Sequence, residues 1–288
     1  MYTITFYSFK GGTGRSMALI NVAVEMVKSG LRVLIVDFDL EGSGIDTFNL
    51  ASSQKPAKGV IDCVVEYLET GQSPDISNFI YETPISHTKG KLFVMPAGKV
   101  DDEYDQKFKS IDWKYLYNNQ EGYFLFEDIK AQWSKLINPD YVLIDSRTGY
   151  TDASGICTRQ LPDSVVLFFF PNEQNRRGLE SVVNQIRAES KASRRKNIKL
   201  HFVMSNVPEL DDEEGFLARN VCKIKETLKF NEISATIHHY QSLALLTQSI
   251  FTLDRPKTRL AQEYCLLTNI LRKDNIKDPE KSLHFSDE

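Results

Sequence analysis

The chain is poor in cysteine: Cys63, Cys157, Cys222 and Cys265 are the only four thiols in 288 residues. They are widely spaced, form no CxxC pair and have no histidine nearby at ligand spacing. That argues against a disulfide framework or a zinc site, and the thiols are expected to be reduced and mostly buried, as in a cytosolic protein. Strong charge of one sign is also missing. The 35 Lys and Arg against 39 Asp and Glu leave a formal net charge of −4. Bulk attraction to polyanions is thereby excluded, so any nucleic-acid or membrane contact would need a local patch. No segment reaches the roughly 18 apolar residues of a membrane span. The start, Met1-Tyr2-Thr3-Ile4-Thr5-Phe6, lacks the basic and apolar regions of a signal peptide, so the expected location is cytoplasmic. Internal repeats and low-complexity linkers are absent as well. What remains is a chain with 41% hydrophobic residues, enough to bury the core of one large α/β domain or two small ones.

The order of patterns predicts the fold. Thr3 to Tyr7 is a β-branched and aromatic run, and a glycine-rich turn follows at Lys10 to Gly14. From Ser16 to Ser29 the apolar residues Leu19, Val22, Ala23 and Met26 recur at helical steps, closed by Gly30. Arg32 to Asp37 is a continuous apolar run, which suits a parallel strand covered on both faces. Strand, turn, helix, strand is a right-handed βαβ unit. Similar runs recur at Lys91–Met95, Tyr141–Asp145, Ser164–Phe170 and Lys199–Met204, with helical patterns at Phe124–Leu136, Gly178–Lys191 and Thr258–Arg272. The alternation predicts an α/β fold with a doubly wound, mostly parallel sheet flanked by helices, as a single domain over residues 1–272. Residues 101–122 are expected to cover the sheet edge that bears the glycine-rich turn, as a loop with a short helix. The charged stretch 273–288 is expected to fray.

The strongest motif is Phe9-Lys10-Gly11-Gly12-Thr13-Gly14-Arg15-Ser16, set between a predicted strand and a predicted helix. Glycines let successive backbone N–H groups turn inward as an anion nest, and the helix that starts there adds its dipole. A cationic side chain then reaches the outer phosphates of a nucleotide and a hydroxyl ligates Mg²⁺. Arg15 holds the cation position and Ser16 the hydroxyl position; Lys10, Gly11, Gly12, Thr13, Gly14 and Met17 complete the expected phosphate cradle. The competing reading is a glycine-rich turn without a ligand.

Carboxylates fall where such a site needs them. Asp37 ends the second strand and Asp39 follows two residues on, while Asp145 ends the YVLID strand. Ligands of open α/β sheets bind at the carboxyl ends of strands. An apolar strand ending in aspartate is the Walker B pattern that holds Mg²⁺ through water. The competing reading is that these are solvated strand-end acids. Ser146-Arg147-Thr148-Gly149 follows, and Gly149 would let its N–H approach a γ-phosphate. Arg147 is expected either to touch phosphate or to pair with an acid such as Glu41, the pairing being the commoner fate.

Taken together these motifs resemble the ParA/MinD family of P-loop ATPases. Phe9 stands where the ordinary G-x-x-x-x-G-K-[ST] loop has its first glycine, and Lys10 opens the loop instead, as in that family's deviant Walker A motif K-G-G-x-G-K-[ST]. The resemblance implies that Lys10 reaches the nucleotide of a second copy across a homodimer. It implies that Asp37 lies near the metal and its waters and that Asp39 orients the attacking water. Asn206, after the KLHFVM strand, matches an asparagine that reads the adenine edge, and Thr252 to Tyr264 resembles the family's last loop and helix. Two departures mark a divergent member: Arg15 replaces the loop's second lysine, and Leu40-Glu41-Gly42 replaces proline-glutamine-glycine. A planar guanidinium is not a compact ammonium, so phosphate binding is retained more securely than turnover.

The resemblance implies an ATP- and Mg²⁺-dependent ATPase switch that dimerises and signals to a protein partner, with Lys10, Arg15 and Asp39 catalytic and Ser16, Asp37 and Asp145 at the metal. The alternative is a dimerising scaffold that binds ATP and barely hydrolyses it; a kinase on the same fold is a third reading, with no acceptor-pocket pattern to support it. The basic stretch Lys191–Lys199 would suit DNA phosphates, but cations at a helix C-terminus are the preferred explanation. Residues 274–288 have no apolar face for a membrane helix. The aromatic run Trp113–Tyr117 is expected to be core rather than a docking surface.

Overall fold

A computed structural model describes residues 1–42, 44–48, 50, 58–192, 197–210, 214–241 and 249–278. Its strands are β1 (Tyr2–Ser8), β2 (Arg32–Phe38), β3 (Tyr81–Thr83), β4 (Lys91–Met95), β5 (Tyr141–Ser146), β6 (Ser164–Phe169), β7 (Lys199–Val207) and β8 (Ala235–His238). The helices are α1 (Arg15–Lys28), α2 (Val60–Thr70), α3 (Asp102–Ser110), α4 (Trp113–Asn119), α5 (Gly122–Gln132), α6 (Asp152–Gly155), α7 (Glu173–Ala192), α8 (Glu214–Leu228), α9 (Phe251–Asp254) and α10 (Arg259–Arg272). One π-helical turn extends α5 over Trp133–Ile137 and another extends α6 over Ile156–Gln160.

The strands form one sheet in the order β3-β4-β2-β5-β1-β6-β7-β8. All pairings are parallel except β3 against β4. Every residue of β5 and β6 is buried, which explains their unbroken apolar sequence: helices cover both faces, so no alternating polar side is needed. One face packs on α1, α9 and α10. The other carries α2 to α6 over the β2–β5 half and α7 with α8 over the β6–β7 half. After β1 the chain turns towards β2 on one side, and after β5 it crosses towards β6 on the other. The reversal places β1 and β5 at the topological switch point, where α/β sheets bind ligands beyond their strand ends.

Helix α1 stops as its sequence indicates. Gly30 has φ +87°, its N–H donates to Val27 O at 2.9 Å, and Leu31 N–H donates to Met26 O at 3.2 Å. These two bonds form a Schellman closure, which needs a left-handed residue at that position.

Several expectations are corrected. Helix α7 begins at Glu173, five residues before the expected Gly178, because the Asn172 side chain accepts the Asn175 N–H at 2.9 Å and caps the first turn. Residues 101–122 hold two helices, α3 and α4, capped by the side chains of Asp101 and Asp112, instead of a loop with one helix. In the aromatic run Leu116 is buried and Trp113 and Tyr117 pack beside it, whereas Tyr115 is half exposed. The chain after Arg272 does not fray at once. Asp278 accepts bonds from Arg272 Nε at 2.9 Å and Tyr141 Oη at 2.5 Å, and Asp274 pairs with Lys199 and with His201 at 2.6 Å. Residues 279–288 lie outside the described residues, as do 193–196 within the basic stretch, so neither expectation is addressed there. All four cysteines are free thiols. Among the described residues no helix is long and apolar enough to cross a membrane.

Candidate functional site

The glycine-rich loop joins β1 to α1 at the switch point. Gly12 (φ +75°) and Gly14 (φ +74°) are both left-handed. A Cβ at either would meet nothing within 4 Å. Glycine is therefore required by backbone conformation and not by crowding, at about 1–2 kcal/mol for any other residue, and the space above the loop is open. Gly14 caps α1 without any side-chain bond, and the first turn carries no acid. The leading N–H groups of α1 have no intrahelical partner and lie at the positive end of its dipole, which suits an anion. Met17 contributes backbone only to this turn, since its side chain is buried in the core.

Arg15 does not point into that open space. Its side chain is 5% exposed; Nε donates to Asp145 Oδ1 at 2.5 Å and a terminal nitrogen donates to Asp39 Oδ2 at 2.6 Å. Asp145 is wholly buried at the end of β5, and Asp37 is its register partner on β2. Register partners in adjacent parallel strands project to the same face, so the two carboxyls stand side by side. Asp39 N–H donates to Asp37 Oδ1 at 3.1 Å, which folds the acidic turn over the strand end. Burial pushes the Asp145 carboxyl up, and the Arg15 charge opposes this. Burial alone would lower the Arg15 guanidinium, but Asp145 and Asp39 outweigh it and keep it charged.

Further contacts tie the loops around this cluster. Arg147 pairs with Glu41, the partner expected for it, and so links the turn after β5 to the turn after β2. Tyr104 Oη of α3 donates to Leu40 O at 2.7 Å and pins the β2 turn from outside. Tyr7 Oη donates to Gly149 O at 3.0 Å, which holds the β5 turn against β1; Gly149 itself has φ +75°. Neither tyrosine was marked by sequence pattern: each acts through a partner at least 60 residues away, at |i−j| of 64 and 142.

Arg15, Ser16, Asp37, Asp39 and Asp145 are thus brought together. Lys10 is not part of the cluster; it is exposed, with its ammonium 5.7 Å from the Phe9 ring. Asn206 lies inside β7, not beyond it, at an irregularity with φ +56°, and its Oδ1 bonds His239 Nδ1 at 2.7 Å.

The residues present fit Mg²⁺ in the manner of a phosphate-assisted site. Such a site takes one or two carboxylates and a hydroxyl and completes its octahedron with waters and phosphate oxygens. Asp145 Oδ2 is buried without a hydrogen-bond partner, and the Ser16 hydroxyl lies close enough to favour the charged Asp145. Among the described residues there is no cluster of three or more His, Cys, Asp or Glu side chains able to hold a metal without such help.

Comparison with known proteins identifies the family and the fold. The model of a family described as AAA domain matches residues 1–202. The fold matches the septum site-determining protein MinD of Pyrococcus horikoshii, solved with Mg-ADP, at TM-score 0.68 and 17% identity over 97% of this chain and 98% of that one. It matches an ATP complex of a Cyanothece McdA variant at TM-score 0.69 and 16% identity over 94% and 96% of the two chains. The MinC:MinD cell division complex of Aquifex aeolicus matches at TM-score 0.63 and 20% identity, over 96% and 98%. None of the curated proteins matches in sequence.

Proposed function

The chain belongs to the AAA domain family and has the P-loop fold of the MinD and ParA proteins, and from that premise we propose that it is an ATP-hydrolysing switch that dimerises around nucleotide. The observation that carries the reading is the convergence, at one strand-end edge, of an open glycine loop, an uncapped helix N-terminus, Ser16 and three carboxylates.

In this reading the N–H groups of the loop and of the first turn of α1 bind the phosphates of ATP. Ser16, Asp37 and Asp145 hold Mg²⁺, which neutralises charge on the phosphoryl oxygens when bound. Arg15 supplies a second positive charge to the phosphates, and Asp39 orients water for attack in line with the leaving oxygen. Gly149 N–H approaches the γ-phosphate, and Asn206 reads the adenine edge. Exposed Lys10 reaches the nucleotide of a second copy, so a homodimer completes each site. The Arg147–Glu41 pair joins the two turns, which suits a switch read by a protein partner.

The test is phosphate release from ATP and Mg²⁺ by the wild type and by Asp39→Ala. Turnover in the first, falling about 10²-fold or more in the second, supports a hydrolytic switch with Asp39 as the water-positioning acid. A second reading is favoured by the Arg15–Asp39 ion pair, which occupies that acid. A chain that keeps this pair with ATP bound would dimerise without turnover and act as a nucleotide-dependent scaffold; binding of ATP without phosphate release selects it.

A further inference from the structure

We infer that Arg15 is the resident counter-cation of the strand-end carboxylates: it holds Asp39 and Asp145 until phosphate draws it away, so that polyphosphate must engage the loop before, or together with, the metal. The inference rests on reading the glycine loop as a nucleotide site, and it adds an order of events which that reading does not contain.

The pairing is built for exchange. A guanidinium and a carboxylate that form a permanent buried bridge normally do so two-pronged, with remaining donors and acceptors satisfied. Here only Nε meets Asp145, and one terminal nitrogen meets Asp39. The other terminal nitrogen of Arg15 and the Asp145 Oδ2 are both buried without partners. The unpaired donor is a seat for an anion and the unpaired acceptor is a seat for a cation, and a nucleotide with its metal supplies both. A lysine at this position would bring all its donors to one nitrogen, and could not meet the two carboxylates from two separate nitrogens as Arg15 does. The arginine therefore ties the two carboxylates together in a manner open to a guanidinium and not to an ammonium.

Two consequences follow from the geometry. Asp145 Oδ1, while bonded to Arg15 at 2.5 Å, does not receive a metal or its water from that side, and the guanidinium charge beside it opposes a cation at Oδ2, so binding of free Mg²⁺ is weakened. Asp39 Oδ2, while bonded to Arg15 at 2.6 Å, is turned towards the guanidinium and is taken from water. Its turn is held at a second point by Arg147 on Glu41. Departure of Arg15 towards phosphate releases the acid needed for hydrolysis at the same moment as it opens the metal seat. Arg15 is thus a positioning residue for Asp39 and Asp145 before nucleotide binds, whatever it contributes afterwards.

The test measures Mn²⁺ binding to the nucleotide-free full chain by the loss of the free-ion EPR signal. Arg15→Gln, with the counter-charge removed, is expected to bind Mn²⁺ at least about tenfold more tightly than the wild type. Equal binding in the two proteins, or tighter binding in the wild type, overturns the inference. Should Arg15→Gln fail to fold, the Nε–H resonance of Arg15 in the wild type decides, identified by its loss in Arg15→Lys. Metal-free ADP is expected to move that resonance and millimolar Mg²⁺ alone to leave it in place. Movement by Mg²⁺ alone, or no movement with ADP bound, overturns the inference. ADP binding is followed separately with a fluorescent analogue. Its absence sinks the nucleotide reading, whereas the Mn²⁺ contrast needs no nucleotide and judges Arg15 by itself.

Discussion

Gly178→Ala pits two effects of known sign against each other. The residue lies within helix α7, where exchanging glycine for alanine should by helix propensity alone stabilise the chain by about 1 kcal/mol. The structure opposes this. A Cβ at Gly178 would lie 2.1 Å from Phe9 Cδ1, 2.2 Å from Cγ and 2.3 Å from Cε1. Ordinary carbon contacts are about 3.5–4.0 Å, so the ring must retreat by roughly 1.5 Å. Cγ is one bond from the Phe9 Cβ, so rotation alone relieves little and the backbone beside Lys10 must move. Overpacking of this kind costs about 1–3 kcal/mol. The net expectation is a loss of up to about 2 kcal/mol, or several degrees in melting temperature at this chain length. Nucleotide affinity should fall with it, because the displaced residue directly precedes the loop. Calorimetry on the double-mutant cycle with Phe9→Ala is the assay. In the Phe9→Ala background the clash is gone, and Gly178→Ala should stabilise by about 0.5–1 kcal/mol. A stabilising Gly178→Ala in the wild-type background would refute the argument that this glycine exists to seat Phe9. The same contact explains how the chain tolerates Phe9 where ordinary loops have glycine.

Other outcomes are equally specific. Burial would raise the Asp274 carboxyl, but hydrogen bonds from His201 and Lys199 outweigh it and hold it below the usual range. A depressed carboxyl contributes stability above its unfolded pKa of about 3.9, lost as pH falls through the folded value. The stability gap between wild type and Asp274→Asn should therefore be full at pH 6 and shrink as the pH drops below 4; a gap constant over pH 3 to 6 in urea titrations would sink the assignment. Asp278→Ala strips a carboxylate from buried Arg272 and Tyr141 and should cost roughly 3 kcal/mol, read as a lower denaturation midpoint at unchanged slope. Loss of under 0.5 kcal/mol would mean that the C-terminal clasp does not hold in solution. Tyr104→Phe removes the bond to Leu40 O at 2.7 Å, at about 1–3 kcal/mol if the carbonyl stays buried. Amide exchange over residues 39–42 should accelerate; unchanged exchange would show that α3 does not pin the turn.

By itself the sequence determined what depends on near neighbours. Periodicity and unbroken apolar runs marked β2, β5 and α10 to within a residue or two, because a strand buried on both faces and a helix with one apolar stripe leave local signatures. The loop was legible for the same reason: Gly12 and Gly14 are called for by their own backbone angles. Even the gathering of Asp37, Asp39 and Asp145 at one edge followed from their positions at strand ends. Only the tertiary structure decided which way the side chains would turn. Arg15 lies against Asp145 and Asp39, 130 and 24 residues away, because one buried and one partly buried carboxylate outweigh solvent for its charge. Phe9 and Gly178, Tyr104 and Leu40, and Asp278 and Tyr141 are each pairs whose members carry no local sign of the other. Segments that nucleate on their own sequence can be read from it; contacts that form only after the sheet has closed cannot, and here it is those contacts that fix the state of the site.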